Sequence, residues 1–477
     1  MGIKDAAVKL AVKKAIKELK KDFDSASEKY IDLGLKFARE DVQKRALLRL
    51  REGFAKPDNM WADLVRHVVR YTDEGILTNL IEPFTTAFLK SYDYRKASMQ
   101  KYGCNIPWAI LIDPTTACNL HCTGCWAADY SKAASLSDDD MRKIIREGKE
   151  LGTYIYLYTG GEPLMKKDLL IKLCEENTDC LFLAFTNGTL VDEKFADELK
   201  RVGNLFPIVS IEGNEETTDS RRGKGTYQKV IRATELLKER GIIFGASLCY
   251  TKENAEVIAS DEYADFLIDL GVIFAWYFTF VPVGVDSTPA LMATAEQREL
   301  MYKQIRKWRF KTGEQKRFFT IDFFNDGEYV GGCIAGGKQY FHISPNGDCE
   351  PCVFAHYSTV NIKDPDKHLI DALQSPLFMA YRERQPFSDN MLRPCPVMDQ
   401  PGALKKMVHD TGAKSTDYKC PENVDDLFAK TVDVAKLWKK TADRMADEYG
   451  FVKPKLRSIA IYNDLEDSAV RDFNEFE

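Results

Sequence analysis

The chain has 477 residues, 44% hydrophobic and 29% charged, which supports two or three domains with full cores and excludes a largely disordered polypeptide. A formal net charge of −6 and a pI near 5.8 argue against nucleic acid as a partner. Residues 1–21 are rich in lysine and lack the apolar core of a signal peptide, and the longest apolar run, 271–285, is at 15 residues too short to span a membrane.

Residues 1–106 read as a helical N-terminal region. Val8, Val12, Ile16 and Leu19 fall on one helical face, while Lys9, Lys13, Lys14, Lys17, Lys20 and Lys21 make the remainder basic. Such a helix suits peripheral contact with an anionic membrane surface; a solvated helix docked on its own protein is the alternative.

Between 107 and 319, apolar runs at 108–113, 154–158, 181–185, 207–211, 243–249 and 274–281 alternate with amphipathic stretches. Short, nearly continuous apolar runs are what strands covered on both faces require. Ser137, Asp192 and Thr226 mark helix starts, and Gly152, Gly203, Gly241 and Gly271 mark helix ends. Six such units are fewer than the eight of a closed barrel, so the expected fold is α/β, a partial (βα)6 TIM-like barrel whose working loops follow the strand C-termini. Residues 320–421 read as a separate small cysteine-rich module with short strands, and 422–477 as a closing helix and tail.

The first strand runs into Cys118, Cys122 and Cys125, a C-x3-C-x2-C loop. Thiolates are the soft ligands that iron-sulfur clusters require, and three of them leave one iron of a four-iron cluster open to a small molecule. A zinc knuckle or three unligated thiols are the alternatives, although His121 lies too close to its neighbours to complete a tetrahedron. After the second strand comes Gly160-Gly161-Glu162-Pro163, where glycines admit close backbone approach and the glutamate offers an acceptor for an ammonium group. The third strand ends in Thr186-Asn187-Gly188. On the fourth, Ser210 and Glu212 share a face, with Glu212 either turned to the barrel mouth or paired with Arg221 or Arg222.

The cysteine loop after strand one and GGEP after strand two resemble the paired signatures of radical S-adenosylmethionine (radical SAM) enzymes. That resemblance implies a [4Fe-4S] cluster on Cys118, Cys122 and Cys125, with SAM on the open iron. It implies SAM contacts from Gly160, Gly161, Glu162, Asn187, Ser210, Glu212 and Arg222. The family often has an aromatic residue just before the third cysteine; here Gly124 stands there and Trp126 follows, so Trp126 is the adenine-packing candidate. Ser247 and the 281–284 turn fall where related enzymes touch the nucleoside.

Downstream, Cys333 and the stretch from Gly347 to Cys352 resemble the opening of SPASM or Twitch auxiliary-cluster domains. Only Cys395 and Cys420 follow, which supports one auxiliary iron-sulfur cluster better than two. Cys333, Cys352 and Cys395 are the leading ligands, with Cys349 or Cys420 as the fourth and zinc as the alternative metal. Cys104, Cys174, Cys180 and Cys249 read as buried thiols, and His342 and His356 as structural histidines flanking the auxiliary cysteines.

The activity implied is reductive cleavage of SAM to a 5′-deoxyadenosyl radical that abstracts hydrogen from a substrate C–H bond. The expected substrate is a peptide or protein; a membrane-lipid chain is the alternative, and a non-catalytic iron-sulfur or zinc protein is a third reading. A flavodoxin or ferredoxin is the expected electron donor. With twelve cysteines and no export signal, a reducing cytoplasm is the expected compartment.

Overall fold

The computed structural model describes residues 3–38, 41–56, 59–127, 134–284, 287–310 and 315–449. The side chains of Val8 and Lys9 and the tail 450–477 lie outside the described residues.

Among the described residues, six helices precede the sheet: α1 (Ile3–Lys21), α2 (Phe23–Phe37), α3 (Asp41–Ala55), α4 (Met60–Tyr71), α5 (Glu74–Thr85) and α6 (Ser91–Tyr102), with a π-helical turn, Thr86–Lys90, joining the last two. Asp22, Asn59 and Asp73 cap α2, α4 and α5 by accepting backbone N–H groups of the first turn. Among the described residues no helix is long and apolar enough to cross a membrane.

The α/β body follows as β1 (Ala109–Ile112), α7 (Asp138–Leu151), β2 (Ile155–Tyr158), α8 (Lys167–Glu176), β3 (Leu181–Thr186), α9 (Glu193–Val202) and β4 (Leu205–Ser210). It continues as α10 (Glu215–Arg222), α11 (Thr226–Glu239), β5 (Gly245–Tyr250), α12 (Ala255–Ile258), α13 (Asp261–Leu270), β6 (Phe274–Thr279), α14 (Ala295–Arg309) and β7 (Phe319–Asp322). The expected helix boundaries have physical counterparts. Ser137 and Asp140 form a reciprocal capping box on α7, Asp192 caps α9, and Gly152, Gly203 and Gly271 close helices in the left-handed conformation.

The last part holds α15 (Gly327–Val330), β8 (Tyr340–Ile343), β9 (Cys349–Glu350), β10 (Tyr357–Ser358), α16 (Leu369–Leu373), α17 (Pro376–Arg384), α18 (Pro401–Thr411), β11 (Lys414–Ser415) and α19 (Val424–Glu448). Among the described residues, nine strands form one sheet in the order β7-β6-β5-β4-β3-β2-β1-β8-β9. Strands β1 to β7 pair in parallel; β8 joins the free edge of β1 in parallel, and β9 returns antiparallel. The six expected strands are thus extended at both edges by residues read as a separate module. The boundary at 319/320 falls inside β7, because Phe319 to Asp322 continue the ladder on β6.

Alternation along the strands divides the core in two. Ile110, Ile112, Tyr156, Tyr158, Phe182 and Tyr277 face the helical layer. Leu111, Leu157, Leu183, Phe185, Trp276 and Phe278 face the barrel interior.

Candidate functional site

The loop from Cys118 to Cys125 leaves β1 at the C-terminal edge of the sheet, and other strand ends hold it there. Gly161 N–H donates to Thr115 O at 3.1 Å, and Glu162 N–H to Ala117 O at 2.9 Å. A Cβ on Gly161 would come within 2.4 Å of Ala117 O, so only glycine lets the two backbones lie together. Gly160, at φ +98°, stands against Asp113. Thr123 N–H donates to Arg221 O at 2.9 Å, tying the loop to the end of α10. Gly284, at φ +86°, stands with its would-be Cβ 2.6 Å from Cys125 O, so the turn after β6 presses on the loop from the other side.

Cys118, Cys122 and Cys125 are each partly exposed, and the three thiols act on one another electrostatically. Leu120 N–H points at Cys118 Sγ at 3.4 Å, and Arg222 Nη1 lies 4.0 Å from Cys122 Sγ. Burial pushes Cys118 up to about 11 and raises Cys122, while the amide at Cys118 and the guanidinium at Cys122 work in the opposite direction, toward the thiolate that binds iron. Among the described residues no three His, Cys, Asp or Glu side chains converge on a point suited to a single metal ion.

Glu162 is buried with its carboxylate engaged. Oε1 accepts from Leu164 N–H at 3.0 Å and from Thr186 Oγ1 at 2.6 Å, while Oε2 accepts from Asn187 N–H at 2.7 Å. Burial raises its pKa despite these donors. Its side chain pins the end of β3, which leaves the Gly160–Gly161 backbone as the exposed part of the motif. Asn187 Nδ2 reaches Asn119 Oδ1 at 2.9 Å, joining β3 to the cysteine loop.

Glu212 is fully buried and takes both arginines: Arg221 Nη1 at 2.6 Å and Arg222 Nε at 2.9 Å, with Arg222 Nη2 closer still. Burial opposes its ionisation, but the two guanidiniums prevail and hold it below the usual carboxylate range. Of the two readings for Glu212, the geometry is the ion pair, and Oε2 remains a buried acceptor with no partner among the described residues. Ser210 is half-buried on the inner face beside Ser247. Phe280 fills the space that a side chain at position 124 would occupy, 2.5 Å from a Cβ there. Trp126 instead turns toward the C-terminal part, edge-on to His342, Phe354 and His356 at 5.9–6.2 Å.

One group escaped the sequence reading. His342, on the inner face of β8, has Nδ1 2.7 Å from Glu350 and Nε2 3.1 Å from Asp113, and Asp113 also accepts from Thr159 Oγ1 at 2.5 Å. Burial alone would lower the histidine's pKa, but the two carboxylates overcome it and lift it to about 10. The sequence marks His342 as a structural histidine, Asp113 as the end of strand one and Thr159 as the start of the GGEP turn, but not that they meet.

Cys333, Cys352 and Cys395 line a single cavity of about 90 Å³ with Tyr340 and Phe354. Tyr340 Oη lies 2.9 Å from Cys352 Sγ, Phe354 N–H points at that sulfur at 3.5 Å, and Met398 N–H at Cys395 Sγ at 3.4 Å. Cys349 is elsewhere. It pairs with Ile343 and sits in the helix-side core. Cys420 is exposed and lines a different, open pocket of about 500 Å³ with Gly284 and Lys430. Cys104, Cys174 and Cys180 are buried, and Cys249 faces the barrel interior.

Residues 112–264 match the radical SAM superfamily model. That segment of the chain is therefore a radical SAM domain by likeness. The chain is 30% identical over 226 residues to the Fe-coproporphyrin III synthase of Methanosarcina barkeri, spanning 45% of the present chain and 56% of the relative. It is 24% identical over 299 residues to the PqqA peptide cyclase of Gluconobacter oxydans, spanning 61% and 82%. The chain thus spans little more than half the length of the first of these. The structure of Streptococcus suis SuiB bound to S-adenosylmethionine superposes with a TM-score of 0.51 at 19% identity, over 72% of the present chain and 88% of SuiB. At that identity the likeness is one of fold.

Proposed function

We propose that the chain is a radical SAM enzyme that cleaves SAM reductively at a [4Fe-4S] cluster held by Cys118, Cys122 and Cys125, and removes hydrogen from a C–H bond of a peptide or protein. The observation that carries this reading is three partly exposed thiols on one loop at the C-terminal end of a parallel barrel, with Arg222 beside them. When bound, the cluster supplies one electron to SAM, and the cleavage yields methionine and a 5′-deoxyadenosyl radical.

The residues around the loop do the positioning. Gly160 and Gly161 present backbone to the amino group of SAM, while Glu162 and Asn187 keep that backbone and the cysteine loop in register. Arg222 offers its charge to the SAM carboxylate, with Glu212 fixing the guanidinium, and Ser210 faces the ribose. Trp126 stands as a wall toward the C-terminal part, and half-buried Phe185, Trp276 and Phe278 make the interior apolar enough to exclude water.

Cys333, Cys352 and Cys395 are the proposed ligands of one auxiliary iron-sulfur cluster. Amide N–H groups aimed at Cys352 and Cys395 suit thiolate ligation, and the shared cavity brings the three sulfurs together. The peptide reading is supported by similarity to an enzyme named for a peptide. The aromatic interior favours an apolar group there, so a lipid chain is the second reading. A flavodoxin or ferredoxin is the proposed electron donor, a reducing cytoplasm the proposed compartment, and residues 1–21 a peripheral membrane contact.

Anaerobic reconstitution with iron and sulfide counting, then dithionite and SAM, tests the proposal. 5′-Deoxyadenosine is expected. A fully loaded protein that leaves SAM intact, or one that takes up zinc instead of iron, overturns it.

A further inference from the structure

Exposed apolar side chains are concentrated in the N-terminal helices. Among the described residues, 12 of the 19 large exposed hydrophobic side chains lie between Leu10 and Tyr94. The charge is polarised in the same way. Residues 1–102 hold 21 Lys and Arg against 15 Asp and Glu, a net of +6, whereas the remainder of the chain is −12 within a total of −6.

The sharpest patch is at the end of α5 and the π-helical turn. Ile81, Phe84, Phe88 and Leu89 are 43%, 50%, 43% and 67% exposed, while Thr86 and Ala87 between them are buried. The wider π turn presents Phe88 and Leu89 together to solvent, and such turns are frequently functional. The Phe84 and Phe88 rings stack at 4.5 Å, and Phe88 stands edge-on to Trp108 at 5.4 Å, whose Nε1–H donates to Ala87 O. The patch is therefore braced against the start of β1. Helix α1 packs on α5, buries Ile16 and turns Leu10, Lys13, Lys14, Lys17 and Lys21 to solvent.

We propose that α1 and the Ile81/Phe84/Phe88/Leu89 patch dock together on an anionic phospholipid surface, the lysines on the headgroups and the rings at the acyl boundary. This deepens the membrane contact proposed for residues 1–21 by adding the apolar element that a lysine-rich helix alone lacks. Pairing with a second copy through the same face would bring two +6 regions together, so charge complementarity favours the anionic surface.

The test is flotation of the full chain with vesicles of phosphatidylcholine alone or mixed with phosphatidylglycerol. Two variants are compared: Phe84→Ser/Phe88→Ser/Leu89→Ser and Lys13→Glu/Lys14→Glu/Lys17→Glu. Circular dichroism and SAM cleavage report that each remains folded. Binding is expected to the mixed vesicles and to fall on the order of tenfold in each variant, with salt weakening the wild type. Absence of wild-type binding removes the membrane reading altogether. Binding lost in the lysine variant but kept in the aromatic one leaves the contact of residues 1–21 and overturns the patch. A dimer seen by light scattering that the aromatic variant dissolves assigns the face to a second copy and also overturns it.

Discussion

Arg298 and Asp399 form an ion pair at 2.8 Å with both side chains essentially removed from solvent, and the second oxygen of Asp399 accepts the backbone N–H of Cys395 at 3.0 Å. The guanidinium also donates to Asn325 at 2.9 Å and lies 4.0 Å over the Trp438 ring. A helix of the α/β body, the turn after β7, the Cys395 loop and α19 therefore meet at one buried charge pair.

Breaking that pair leaves a carboxylate buried without its cation. Arg298→Met is expected to cost about 3–5 kcal/mol in urea unfolding, and Asp399→Asn a comparable amount, because it keeps an acceptor for Cys395 but strands the buried guanidinium. A loss under about 1 kcal/mol for Arg298→Met means that the pair does not anchor the loop.

The backbone contact at Gly161 is as tight. Gly161→Ala places a methyl 2.4 Å from Ala117 O, which must push the GGEP turn off the cysteine loop. 5′-Deoxyadenosine formation is expected to fall on the order of 100-fold with the protein still folded, since small displacements of positioning groups cost this much. Near-wild-type turnover in single-turnover assays rules out the contact as a positioning device.

The two sets of C-terminal cysteines separate by iron counting. Replacing Cys333, Cys352 and Cys395 together with Ala is expected to remove about four irons per chain, the content of one cube. The Cys349→Ala and Cys420→Ala variants are expected to keep full iron. Loss of iron from Cys349→Ala alone contradicts the three-thiol assignment.

His342 makes stability depend on alkaline pH. Its folded pKa of about 10 lies above the ordinary 6.5, so its stabilisation is fully present below about 6.5 and is lost as pH rises toward 10. His356, largely but not fully buried and lifted against burial by Asp417 to about 9, acts in the same direction. Urea midpoints of the wild type should fall between pH 7 and 9.5 more steeply than those of His342→Gln, which removes one of the two. Parallel slopes dismiss the buried cation. At pH 7 the same variant should be about 3–5 kcal/mol less stable, because Asp113 and Glu350 lose the charge between them.

What the sequence alone determined were features written at short range. Three thiols within one loop, glycines where backbones must touch, and apolar runs of strand length each depend on neighbours a few residues away, so β1 to β6, the cysteine loop and the helix caps were legible. The tertiary structure decided what depends on which side of a strand a residue faces and on what the sheet brings beside it. The sequence makes Cys352 a leading ligand and keeps Cys349 as a candidate fourth, but Cys349 pairs with Ile343 and turns into the helix-side core while Cys352 faces the cavity with Cys333 and Cys395. The sequence leaves Glu212 between the barrel mouth and a pairing with Arg221 or Arg222, and the fold places both arginines on it. Asp113, His342 and Glu350 come together only because β8 closes the edge of β1. A parallel pairing between strands so distant in the chain leaves no local signal, since what holds it is the burial of both edges in one sheet.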